Sequence, residues 1–183
     1  MKMILVLMLA LSLGGGAAGQ HCSGVPSLPV EVACREACAT RLMYDMCMDT
    51  LGEKFDHDPS HSVAVTAYAL LAAQRAVESY AVTVAKASEL LRDGSLGGDE
   101  RTAYQVCVLE YGYAKQSMDN VAEDLLPPCS FGELRQEYMN GLMDLESCRD
   151  RVLRLTDSPL NAMNLVDRNN ALLAYFLGQL LSI

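Results

Sequence analysis

Residues 60–91 read SHSVAVTAYALLAAQRAVESYAVTVAKASELL. Val63, Leu70, Val77, Val84 and Leu91 recur at a step of seven, with Ala67, Ala73, Tyr80 and Ala87 between them. A strand alternates with period two and cannot produce that rhythm, so the stretch predicts one long amphipathic helix with Ser60 as its cap. Arg92-Asp93-Gly94 ends it, and the breakers from Gly94 to Gly98 predict a tight connection.

Three more helices follow from this one. Tyr104, Cys107, Tyr111, Ala114, Met118, Val121 and Leu125 step by three and four through a segment from about Asp99 to Leu126, which Pro127-Pro128 stops. Ser130 with Glu133 has the spacing of a capping box, and the next stripe is Leu134, Tyr138, Leu145, Cys148, Val152 and Leu155. Ser158-Pro159 opens the last helix, striped by Met163, Val166, Leu173, Leu177 and Leu180. The apolar stretch from Ala171 to Leu181 is broken by Gln179 and lacks the small-residue site of a lipid-anchor tail, so it reads as core. Short connections make consecutive helices antiparallel neighbours. The expected fold is all-α: an up-and-down four-helix bundle over residues 60–182, preceded over residues 22–55 by a helical hairpin centred on Ala33 and Cys47. No segment alternates with period two, so no sheet is expected.

Upstream, Lys2 precedes an apolar run from Ile4 to Leu13, and small residues fill positions 14–19. That is the layout of a secretory leader over residues 1–19, and it is too short to span a bilayer. The chain carries 23 acidic and 14 basic residues, net −9; without the leader's single Lys the net charge is −10. So acidic a surface is repelled by a phosphate backbone, and neither nucleic acid nor a membrane is an expected partner. Hydrophobic residues make up 51% of the chain, which excludes disorder.

Seven cysteines in a secreted chain predict disulfides rather than a metal cluster. Cys107 and Cys148 both lie on core stripes and are equidistant from the Pro127-Pro128 turn. In an antiparallel hairpin they share one height and can be bridged, a bond the loop-entropy relation places at roughly 4 kcal/mol. Cys47 is expected to tie back to the first short helix, to Cys38 or to Cys34, which are four residues apart. Cys22 and Cys129 are left unassigned, and an odd total leaves one thiol free or paired between chains.

These residues resemble the plant invertase and pectin methylesterase inhibitor family. The matching features are Cys38 (or Cys34) with Tyr44-Asp45-Met46-Cys47, then Cys107-Val-Leu-Glu-Tyr111, Cys148 and Ser158-Pro159-Leu160. The alanine-rich run ending Ala81-Val-Thr-Val-Ala-Lys-Ala-Ser-Glu-Leu-Leu91 is similar too. The resemblance covers essentially the whole chain after the leader; the extra thiols depart from it. It implies a non-enzymatic, secreted inhibitor of the plant cell wall that docks a rigid bundle one-to-one over the substrate cleft of a pectin methylesterase or an acid invertase. The invertase branch resembles itself in a Pro-Lys-Phe triplet near the connection between the second and third bundle helices. That connection here is Leu126-Pro127-Pro128-Cys129-Ser130-Phe131-Gly132-Glu133, without Lys. Pectin methylesterase is therefore the expected target. No interface residue can be matched to a family motif.

Other chemistry finds little support in the residues. His57 and His61, beside Asp56 and Asp58, have an i,i+4 spacing, but Pro59 lies between them and a solvated linker is expected rather than a metal site. Met43, Met46 and Met48 around Cys47 read as packing rather than a copper site. No phosphate-binding loop, Gly-x-Ser-x-Gly or His-Glu-x-x-His occurs, so no catalytic residue and no cofactor is expected. No Asn-x-Ser/Thr sequon is present. A carrier of a small apolar ligand is the more remote alternative, disfavoured by the small alanines of the first bundle helix.

Overall fold

The computed structural model describes residues 22–55, 58, 60–94, 96–155 and 157–183; the expected leader lies outside them. The element order is β1 (Ser27–Leu28), α1 (Val30–Ala37), α2 (Arg41–Gly52), β2 (Val63–Ala64), α3 (Val65–Arg92), α4 (Gly98–Leu125), α5 (Leu134–Val152) and α6 (Pro159–Gln179). Helices α3 to α6 form the four-helix bundle, in which α3 packs on α4 and α6, and α5 completes the ring between α4 and α6. The α1–α2 hairpin lies across α3 and α6.

One expectation fails in detail. Ser27 pairs with Ala64 and Leu28 with Val63 in a two-residue antiparallel ladder. Two residues are too few for alternation to register in a sequence. The ladder exists because the extended segment around Pro26 and Pro29 is laid along the linker before α3, where Val65 N–H donates to Pro26 O at 3.0 Å and Tyr68 Oη to Leu28 O at 2.8 Å.

Helix ends follow local chemistry, with two corrections. Ser158 caps α6, its Oγ accepting from Leu160 N–H at 3.3 Å, with Pro159 at the first helical position. Ser60 caps nothing. Its N–H and hydroxyl both donate to Asp58 Oδ1, and α3 starts five residues later with no side-chain cap. Ser130 is likewise not a cap, because α5 begins at Leu134 after Glu133. Instead Ser130 N–H donates to Asp124 O at 2.9 Å, folding the α4–α5 connection back on itself through a cis Pro127-Pro128 bond.

The core is continuous through the bundle and into the hairpin. On α4 the expected stripe from Tyr104 to Leu125 is buried throughout. On α3 the deepest line is Tyr68, Ala69, Ala72, Ala76, Tyr80, Thr83 and Ala87, while Leu70, Val77, Val84 and Leu91, and Val63 just before the helix, are only half-buried. Helix α3 is wedged between α4 and α6, so its closest approach uses alanines, and the larger aliphatics close the flanks. On α6 Val166 is exposed, and the buried line is Leu160, Asn164, Asp167, Ala171, Ala174 and Leu177.

Candidate functional site

Three disulfides fix the parts of the molecule relative to one another. Cys107 on α4 is bonded to Cys148 on α5, with 4.5 Å between their Cα atoms. Cys34 of α1 is bonded to Cys47 of α2, Cα atoms 5.6 Å apart. Of the two candidates for Cys47, the structure selects Cys34, which is fully buried on the α1 face turned to α2. Cys38 has already left the helix, in extended backbone at the α1 C-cap, and it is the free thiol. Although four residues apart, the two are thus not on one helix face. Cys22 is joined to Cys129 across 107 residues, tying the N-terminal segment to the α4–α5 connection. Cys129 has a left-handed backbone, φ 63°, unusual for a side chain that is not Gly. Its N–H donates to Leu126 O at 2.7 Å, and the disulfide holds it from the other side.

A second fastening is polar and buried. Asp167, 1% exposed in the middle of α6, accepts the hydroxyls of Ser79 and of Thr83 (2.5 Å) from α3 and of Tyr111 (2.6 Å) from α4. Asn164, one turn earlier, donates to Tyr111 Oη at 3.2 Å and to Leu145 O of α5 at 3.0 Å. All four bundle helices therefore meet at one hydrogen-bonded knot. Burial, and after it the Asp167 charge, pushes the Tyr111 phenol far above its ordinary range, so it stays a donor. The signal for these residues was present in the three-four rhythm of α6. Reading only its apolar members placed Val166 on the stripe instead.

The outer face of α4 and α5 carries a groove that includes Tyr113, Asn120, Met143 and Asp144, with Tyr113 51% and Met143 64% exposed. Partial burial, and then the charge of Glu110, pushes the Asp144 carboxyl up to about 6.

Among the described residues, no nucleophile, base and orienting group come together. Met43, Met46 and Met48 pack on or against the core. Among the described residues, no group of three or more His, Cys, Asp or Glu is gathered around a point that could hold a metal ion. His57 lies outside the described residues; His61 N–H donates to Asp58 O at 2.9 Å. No described helix is long and apolar enough to cross a membrane.

What the fold defines is a class: a prefolded, disulfide-fastened helical bundle that presents surface rather than a reacting centre. Residues 32–182 match the family described as plant invertase/pectin methylesterase inhibitor, and the chain belongs to that family. Its members are inhibitors and not enzymes. Solved structures share the fold, among them two pectin methylesterase inhibitors. One is a mutant form of a pectin methylesterase inhibitor from Arabidopsis, 20% identical, with a TM-score of 0.68 over 85% of this chain and 98% of that one. The other is a pectin methylesterase inhibitor from Arabidopsis thaliana, 19% identical, with a TM-score of 0.61 over 83% of this chain and 95% of that one. No curated protein matches the chain in sequence.

Proposed function

We propose that this chain is a secreted inhibitor of pectin methylesterase in the plant cell wall, binding the enzyme one-to-one and occluding its substrate cleft. The family match over residues 32–182 carries the reading. A bundle knotted at Asp167 and fastened by three disulfides gives up little conformational freedom on docking, so a modest interface can be tight. The three disulfides and the leader-like residues 1–19 support secretion, with residues 20–183 as the mature inhibitor domain.

Selectivity rests on the α4–α5 connection. An invertase cleft works with carboxylates, and a cationic side chain is what would complement it. Residues 126–133 offer no cation and end on Glu133. Like charges brought together in a desolvated cleft cost several kcal/mol. Titrating the protein into pectin methylesterase and acid invertase at mildly acidic pH tests the reading. Inhibition of the first alone is expected, and strong inhibition of invertase with pectin methylesterase untouched would overturn it.

A further inference from the structure

The end of the bundle where α4 begins and α5 finishes holds a cleft of about 360 Å³, lined by Asp99, Thr102, Ala103, Arg151, Arg154 and Leu155. Its cations differ from most others in this acidic chain. Arg41, Arg75, Lys86, Lys115, Arg149 and Arg168 all lie in ion pairs. At the same end of the bundle, Arg92 and Arg101 donate to the carbonyls of Ser88 and Leu91. Arg151 and Arg154 are exposed and have no ion pair or side-chain hydrogen bond among the described residues. Two guanidiniums with unused donors thus border one concave site, against a single carboxylate, Asp99. The first turn of α4 forms the opposite wall; there Glu100 Oε2 accepts the Gly97 N–H at 3.3 Å, outside the cleft lining.

Chemistry sets what fits. A guanidinium presents a planar fork of N–H donors that matches a carboxylate in two parallel bonds. The Thr102 hydroxyl, which donates to Gly98 O at 2.9 Å, keeps lone pairs free to accept from a ligand hydroxyl. An anion that also carries hydroxyls would use both walls. We propose that this cleft is a binding site for a sugar carboxylate, and that its ligand is the de-esterified polysaccharide a pectin methylesterase produces. The identity of that polysaccharide rests on the function proposed above; the anion site rests on Arg151 and Arg154 alone. The chain's net −9 opposes long-range approach of a polyanion, but the repulsion is screened beyond about 8 Å at physiological ionic strength, whereas contact with the two arginines is not.

The test titrates isotopically labelled protein with short pectin fragments in two forms, fully de-esterified and fully methyl-esterified, and follows amide and arginine side-chain NMR signals. Shifts confined to residues 98–103 and 151–155 are expected with the acid form, with at least tenfold weaker binding of the ester. The double variant Arg151→Gln/Arg154→Gln should abolish the response and still inhibit pectin methylesterase. Equal response to acid and ester, shifts elsewhere, or a response that survives the double substitution would overturn the proposal. Sulfate giving the same shifts at the same concentration would overturn it as well, by showing an anion site without sugar preference. Loss of enzyme inhibition in the double variant would assign the cleft to the enzyme interface instead. Acid-specific shifts in a protein that inhibits no pectin methylesterase would support the site and refute the proposed function.

Discussion

Asp167 is the residue on which most of the bundle's internal order converges. Among the described residues it has no cationic partner; three hydroxyls from two other helices hold its carboxylate in place of water. Asp167→Ala leaves those donors buried without an acceptor and should cost about 3 kcal/mol or more in denaturant unfolding, because each stranded donor keeps its full desolvation penalty. Asp167→Asn, which retains an acceptor, should cost less. Asp144 behaves oppositely. With its folded pKa raised to about 6, the native state binds more protons than the unfolded chain between about pH 4 and 6. Its contribution to stability is therefore lost as pH rises through that window. Asp144→Asn should become progressively more stable than the parent from acid to neutral pH. Denaturation midpoints at several pH values would check this, and a difference constant with pH would contradict it.

At the scale of the element, helix contacts are set by small residues. Gly178 lies on α6 against the buried ring of Tyr138 of α5, and a Cβ built there would approach the ring carbons to 2.6 Å. Neither the ring nor the helix can retreat far inside a close-packed core. Gly178→Ala should therefore destabilise by about 1–3 kcal/mol, although alanine is the better helix former. A gain in melting temperature would show that the α5–α6 contact is looser than this. The alanines at 69, 72, 73 and 76 do the same work on α3, where a larger residue would force it away from its neighbours.

For the whole molecule, the disulfides link regions that the chain separates widely. By the loop-entropy relation, the bond between Cys22 and Cys129, 107 residues apart, is worth about 5 kcal/mol and that between Cys107 and Cys148 about 4. With Cys38 alone unpaired, one thiol should be titrated per chain after denaturation without reduction, and seven after reduction. Peptide mapping should find the single label on Cys38. In the native state that label should be taken up slowly, since burial raises the Cys38 pKa and depresses the thiolate.

The sequence by itself determined the helices, their breaks, their order and the opposition of Cys107 to Cys148. All of these follow from local rhythm and from symmetry about Pro127-Pro128, which need no knowledge of distant neighbours. It also carried the family, through the order of weak motifs along the chain. The tertiary structure alone decided which face of α3 goes deepest, because a helix with two apolar flanks can be turned either way until its neighbours close on it. It likewise decided that Asp167 lies in the core: a carboxylate on a helix reads as solvated until hydroxyls from other helices are placed around it. The choice of Cys34 over Cys38 turned on where α1 ends, a matter of a single residue. The bond from Cys22 to Cys129 joins segments that no periodicity relates. Contacts over such separations exist only once docking has brought the segments together, and that is information a one-dimensional pattern does not contain.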